Sequence, residues 1–406
     1  MSPDAQPSKP RTLRRALLAL AWLTLAATFT VIAILASFHL PAPTGPYPVG
    51  TTILNFTDQS RPEPHNPTNR RQLVAQLWYP AAPSHNPVAR YKRWREATLP
   101  TFYLALLPTN SRLDAPVASE TFPIILFNHR WNGQRTQNTD LAEDLASHGY
   151  IVVSIDHPYN STRVELPNGQ VIRGTEPLEG PNPITDGPTG PASSQITFWN
   201  QTLETWTADS LFILNQLAAL NADPASPLHA HLDTQHAAAL GHSFGGATAL
   251  SLCGLDPRIL ACANLDGWTF GGLDHRSTQP ILIEYEHVSL DRIAQLQTLP
   301  QPGSRDDQLD RADIAAVDHS LQTFGGYRLF VAGTQHLDFT DQPLLPPLRR
   351  HSYTGPIAPK HIQQIVRETI LQFFDQSLHH QPAPILDPNQ HTFPGLTVQT
   401  FPAQRP

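Results

Sequence analysis

The chain is poor in sulfur. Its 406 residues contain two cysteines, Cys253 and Cys262, and one methionine. Two cysteines cannot staple a small disulfide-built domain or fill a zinc ribbon. Charge is also sparse, at 15% of residues, and it lacks a basic excess: 27 Lys and Arg face 34 Asp and Glu, a net charge of −7. That excludes a nucleic-acid protein, which would present a basic stripe or a high pI. A disordered chain is excluded as well, because 40% of the residues are hydrophobic. No HExxH or similar ligand spacing occurs, so no metal is expected. The 41 prolines follow no Gly-x-y or PxxP period and read as fixed loops.

The first forty residues differ from the rest. Residues 1–15 form a basic n-region with Lys9, Arg11, Arg14 and Arg15, and an uncharged run follows from Ala16 to Leu40. At ~1.5 Å per residue such a run can cross a ~30 Å hydrocarbon core. The basic flank is expected to stay in the cytoplasm and the remainder to be exported. The run is long for a signal peptide, and Ala33-Ile34-Leu35-Ala36 offers no clean small-x-small cleavage site. The reading is therefore a signal anchor, with a cleaved signal peptide as the alternative. The protein would be membrane-anchored with its catalytic domain outside the cytoplasm, or secreted or periplasmic. Residues 41–48 read as a Pro-rich linker, 49–380 as one catalytic domain and 381–406 as a C-terminal extension.

The body alternates short apolar strands with helical spacing. Thr51–Phe56 and Gln72–Tyr79 are β-leaning, separated by a turn-rich stretch from Asp58 to Pro64. Strand-like, mostly apolar runs recur at Phe122–Phe127, Tyr150–Ile155, His236–Leu240, Ile259–Leu265, Pro280–Tyr285 and Tyr327–Val331. Helical spacing falls at 137–148, along Trp199, Leu203, Trp206, Leu211, Leu214 and Leu217, and at 362–374. Ser161–Arg173 reads as a hairpin turning at Pro167-Asn168-Gly169, and 180–192 as a Pro/Gly-rich loop. The order predicts an α/β fold with a mostly parallel central sheet and helices on both faces.

Between the strand at His236 and the helical run at Gly246 stands Gly241-His242-Ser243-Phe244-Gly245. This G-x-S-x-G, in strand-to-helix context, is the nucleophile elbow of the α/β-hydrolase fold. Small neighbours let the turn close around a strained serine, and the helix N-terminus points unpaired N–H groups at developing negative charge. A serine nucleophile needs a base oriented by a carboxylate. His336 follows the strand Tyr327–Val331 and comes after the serine, as the order of this fold requires. His129 and His157 precede the serine and read as site-lining or structural, and His242 as packed within the elbow. For the acid, Asp266 ends the strand Ile259–Leu265. Glu286 and Asp291 follow the next strand, and Asp338 lies two residues beyond His336, where it would shape the loop. The oxyanion needs two main-chain donors: Phe244, and Trp131 or Arg130 from the loop after Phe122–Phe127. Cys253 and Cys262 read as two separate core thiols.

The segments Gly241-His-Ser-Phe-Gly-Gly-Ala-Thr-Ala249 and Cys262-Ala-Asn-Leu-Asp266-Gly-Trp268 resemble the plasma-type platelet-activating factor acetylhydrolases and their bacterial relatives. Gly333-Thr-Gln-His336-Leu-Asp-Phe339, Leu141–Asp156 and the stretch from Val49 to Pro80 are similar to the same family. The resemblance implies Ser243, Asp266 and His336 as triad, which favours Asp266 over Glu286. It implies short-acyl ester or phospholipid substrates and no cofactor. Where the family usually has His-Gly in the oxyanion loop, this chain has His129-Arg130-Trp131. The alternatives are a general carboxylesterase or polyester hydrolase, and, from another class, an exported binding protein that kept the fold.

Overall fold

The computed structural model describes residues 11–37, 39–178, 193–270, 279–299, 303–345, 353–390 and 393–403. Residues 1–10 of the basic n-region and the loop read at 180–192 lie outside the described residues.

Helix α1, Arg11–Ser37, contains a 20-residue apolar stretch, Arg14–Ala33, long enough to cross a membrane by length and composition, and none of it is buried. Among the described residues the body is built on an 11-stranded sheet. Its strands are β1 (Val49–Glu63), β2 (Asn66–Pro80), β3 (Val88–Arg90), β4 (Pro108–Leu113), β5 (Phe122–Asn128) and β6 (Ile151–Asp156). They continue, past a separate hairpin of β7 (Arg163–Glu165) and β8 (Val171–Arg173), with β9 (Leu232–His242), β10 (Ile259–Leu265), β11 (Ile281–Glu286), β12 (Gly326–Val331) and β13 (Leu396–Phe401). The sheet order is β13-β12-β11-β10-β9-β5-β6-β2-β1-β4-β3. Strands β6, β5, β9, β10, β11 and β12 run parallel, while β2 against β6 and β13 against β12 run antiparallel.

The central strands β5, β6 and β10 are buried on both faces, as a covered parallel sheet demands. Along β9, Ala237 and Ala239 face one core with Leu214 and Leu217, while Ala238 and Leu240 face the other with Leu145 and Phe373. The first core is covered by α3 (Ser193–Ala222), α4 (Phe244–Leu252), α5 (His287–Thr298) and α6 (Arg305–Phe324). The second is covered by α2 (Thr139–Ser147) and α7 (Pro359–His379).

Four readings of the sequence need correction. The opening hairpin turns at Pro64-His65; the stretch read as its turn is a bulge between Asp58 and Pro62 inside the ladder. Asp58 accepts the Ser60 N–H there (2.9 Å), and a bulge tolerates the missing donor of Pro62. Residues 41–48 are docked on the body and do not act as a free spacer: the N–H of Thr44 reaches Asp144 (2.8 Å), that of Gly45 reaches Ser147 Oγ (2.9 Å), and Arg367 holds the Ala42 carbonyl (3.0 Å). The segment read as a C-terminal extension supplies β13, so the sheet continues past residue 380. Finally, Cys253 and Cys262 are not separate thiols. They form a disulfide with Cα atoms 6.0 Å apart, because the end of α4 lies directly over β10.

Candidate active site

Ser243 sits between β9 and α4 with φ 59° and ψ −124°. A side chain tolerates this left-handed conformation only when its surroundings enforce it. They do so through glycine. A Cβ on Gly241 would lie 2.0 Å from the Gly245 carbonyl oxygen, and one on Gly245 would lie 2.1 Å from the Asn128 carbonyl oxygen. Asn264 clasps the neighbouring turn, bonding Gly267 through both its amide oxygen and nitrogen at 2.8 Å. Nothing in the sequence pattern singled out Asn264.

Asp266 follows β10 at φ 49°, with its N–H on the Glu284 carbonyl (2.7 Å). One carboxylate oxygen accepts the Glu286 N–H at 2.8 Å, and the other meets His336 Nδ1 at 2.6 Å. The Asp266 side chain is 5% exposed and the imidazole 35%. The Asp266 carboxylate is therefore shielded, while the His336 imidazole stays partly open. His336 begins a 3-10 turn, His336–Phe339, after β12. Asp338 shapes this loop by accepting the N–H groups of Gln335 (2.8 Å) and Gly355 (2.6 Å). Ser243, Asp266 and His336 open together into a cavity of about 590 Å³, walled by Trp199, Trp268, Phe270, Val288 and Tyr353, with Glu286 and Asp306 as its other carboxylates.

The loop after β5 faces the elbow. Trp131 is buried against Trp206 and Phe244, its ring centroid 5.0 Å from that of Phe244, and its indole N–H holds the Glu176 carbonyl (2.8 Å). Beside it, the Arg130 N–H goes to Gln137 Oε1 (3.3 Å), that of Asn132 to the Asn160 carbonyl (2.8 Å) and that of Gly133 to the Arg130 carbonyl (2.7 Å).

The remaining candidates fall outside the cavity wall. His129 is buried, with Nε2 at 2.7 Å from Ser161 Oγ, and burial holds its pKa well below the usual histidine value. His157 pairs with Asp209 at 2.9 Å under the stacked Trp206 ring. His242 is buried beside His336, its Nε2 2.9 Å from the His336 carbonyl, and its pKa too is lowered by burial. Asp291 lies exposed on α5. Among the described residues no cluster of three His, Cys, Asp or Glu side chains could hold a metal ion.

A mostly parallel sheet with helices on both faces and its serine at a glycine-closed strand-to-helix elbow define an α/β-hydrolase fold. Residues 32–167 and 218–383 match the family of platelet-activating factor acetylhydrolase, isoform II, and the chain belongs to that family. It is 31% identical over 267 residues to a probable 1-alkyl-2-acetylglycerophosphocholine esterase of Arthroderma benhamiae, covering 58% of this chain and 60% of the relative. It is 24% identical over 269 residues to platelet-activating factor acetylhydrolase of Canis lupus familiaris, covering 61% and 59%. The chain thus spans about 60% of the length of these curated relatives. A ferulic acid esterase from Streptomyces cinnamoneus superposes with a TM-score of 0.69 and 26% identity, over 89% of this chain and 99% of that one.

Proposed function

We propose that the chain is a serine esterase acting on short-acyl carboxylic esters. The observation that carries this is the strained Ser243 sharing one cavity with a His336 whose Nδ1 is bonded to the shielded Asp266. Holding Nδ1–H fixes the tautomer that leaves Nε2 free to accept a proton. Ser243 Oγ attacks the ester carbonyl, its proton passes to His336 Nε2, and the imidazolium returns it to the departing alcohol. Water, activated by the same nitrogen, then cleaves the acyl-enzyme. The oxyanion is bound by two main-chain N–H groups. The Phe244 N–H opens helix α4 and has no carbonyl one turn back to receive it. Trp131 supplies the second, because the N–H groups on either side of it are already bonded. The rings of the two donor residues pack edge to face.

The curated relatives support a phospholipid with a short acyl chain as substrate. A second reading, a general carboxylesterase that takes aromatic acyl groups, is favoured by the ring-lined cavity and the ferulic acid esterase neighbour. Helix α1 supports anchorage in a membrane with the body outside the cytoplasm, and the disulfide suits such an oxidising compartment. The test compares p-nitrophenyl acetate, butyrate and octanoate, a feruloyl ester and a 2-acetyl phospholipid. Preference for the acetyl phospholipid supports the first reading, and preference for the feruloyl ester the second. Turnover of none of them would refute both.

A further inference from the structure

We propose that Glu176 is a positioning residue for the oxyanion hole, its main-chain carbonyl and its carboxylate together holding the loop that carries Trp131. The inference rests on the esterase reading above, in which Trp131 supplies the second donor. The loop from Arg130 to Gly133 lies outside any helix or strand, so no sheet or helix ladder fixes its main chain. Glu176, in the segment after β8, reaches that loop twice. Its carbonyl accepts the Trp131 indole N–H at 2.8 Å. One of its carboxylate oxygens accepts the Asn160 side-chain amide at 2.8 Å, and the Asn160 main-chain carbonyl accepts the Asn132 N–H at 2.8 Å. Its other carboxylate oxygen bonds His65 Nε2 at 2.7 Å. His65 stands at the turn of the β1–β2 hairpin and stacks on Tyr159, ring centroids 4.0 Å apart. The bridge therefore runs from a hairpin of the central sheet, through one carboxylate, to Trp131 and the residue after it.

The bonds of this bridge are directional where the other contacts of Trp131 are not. Its ring packs on Phe244 and Trp206, with centroids 5.0 and 6.3 Å away. Apolar contact alone sets no orientation, whereas a hydrogen bond at the indole N–H does. Trp206 joins the same network by donating its indole N–H to Asn160 Oδ1 at 3.1 Å. His65 lies between Glu176 and Glu63, and its hydrogen bonds to these two carboxylates push its pKa up to about 9. At neutral pH the outer end of the bridge is thus a charge-assisted bond, the stronger kind. Glu176 touches no reacting atom and acts on the oxyanion only through the main chain of Trp131. Removing an oxyanion donor outright costs about 10²–10³ in kcat. Loss of Glu176 leaves the donor present but unfixed, so the cost should be smaller, about tenfold.

The experiment compares the full chain with its Glu176→Ala variant, using p-nitrophenyl butyrate as substrate and octyl trifluoromethyl ketone as inhibitor. Ser243 Oγ adds to the ketone carbon, its proton passes to His336 Nε2, and the carbonyl electron pair stays on oxygen as an oxyanion in the hole. Glu176→Ala is expected to lower kcat about tenfold with KM unchanged, and to weaken the ketone by the same factor, because the lost interaction exists only with the oxyanion. The matched secondary alcohol, which forms no adduct, should bind both proteins equally. Trp131→Phe keeps the packed ring and loses the indole N–H, so it should cost about as much. The double variant should lose no more than either single one, since both cut the same bridge. Far-UV circular dichroism checks folding, and Trp131→Phe carries the test if Glu176→Ala does not fold. Kinetics and ketone affinity within about twofold of wild type in a folded variant, or losses that multiply in the double variant, overturn the proposal while leaving the esterase reading in place. No turnover by wild type and no labelling of Ser243 by a fluorophosphonate overturns both.

Discussion

Cys253 closes helix α4 and Cys262 lies in β10, so the disulfide ties the element that begins beside Ser243 to the strand that leads into Asp266. Replacing both cysteines with alanine removes a cross-link that spans 9 residues of sequence. In the chain-entropy treatment, a closed loop of that length lowers the entropy of the unfolded chain by roughly 8.6 cal/mol/K, or about 2.6 kcal/mol at 25 °C. Both residues are 0% exposed, so the lost sulfur atoms also leave a small void, adding up to ~1 kcal/mol. A body of roughly 350 residues unfolds with an entropy near 0.7 kcal/mol/K, so the melting temperature should fall by about 4 °C. Calorimetry on wild type and the double variant reads this directly, and intact mass under denaturing conditions with and without reductant confirms the cross-link. Identical melting temperatures, or no gain of two hydrogens on reduction, would refute the reasoning. The variant should hydrolyse esters normally at 25 °C and lose activity at a lower temperature than wild type.

Other outcomes follow from the same geometry. Asp266→Asn should cost on the order of 10⁴ in kcat by presenting the wrong imidazole tautomer, while Asp291→Asn, exposed on α5, should be neutral; equal losses would move the acid elsewhere. Activity should survive EDTA, because every step is assigned to side chains and main-chain donors; loss reversed by a divalent metal would contradict that. Deleting residues 1–38 should give a folded enzyme released from membranes. Deleting 1–48 should destabilise it by several kcal/mol, through the lost contacts of Thr44, Gly45 and Ala42; equal melting temperatures for the two truncations would refute the docked segment. For Glu284, fully buried beside Thr369, burial pushes the carboxyl up to about 7. The folded state then holds a proton that the unfolded state releases above ~4.5, so stability falls as pH rises from about 4.5 to 7. Glu284→Gln should flatten that fall, measured by urea melts across the range, and an unchanged slope would argue against it.

The parallel strands were legible because burial on both faces makes them almost wholly apolar, as in Phe122–Phe127, and Ile259–Leu265 with Asn264 as its one polar residue. The elbow was legible because its steric demand fixes glycine on both sides of Ser243. Edge strands carry no such signature: β13 is half exposed, with a Thr-Val-Gln-Thr centre that reads equally as loop. Helix α6 is only partly buried and weakly apolar, yet Ser304 with Asp307 forms a capping box that would have marked its start. The disulfide was hidden because two cysteines in apolar runs look like core thiols, and only the stacking of α4 on β10 brings them together. Glu286 was read as a competing acid from its strand-end position. The structure puts it beside Asp266 as well, a juxtaposition that depends on the parallel pairing of β10 with β11.

Whether Ser243 is the nucleophile is read from the hydrolysis rate of Ser243→Ala on the best short-acyl ester, with folding checked by circular dichroism. Removing the nucleophile from an acyl-enzyme mechanism leaves only about 10³–10⁴-fold acceleration over water. The kcat of this variant should therefore collapse to that residual level with an unchanged fold. Activity near that of wild type in the correctly folded variant would contradict it.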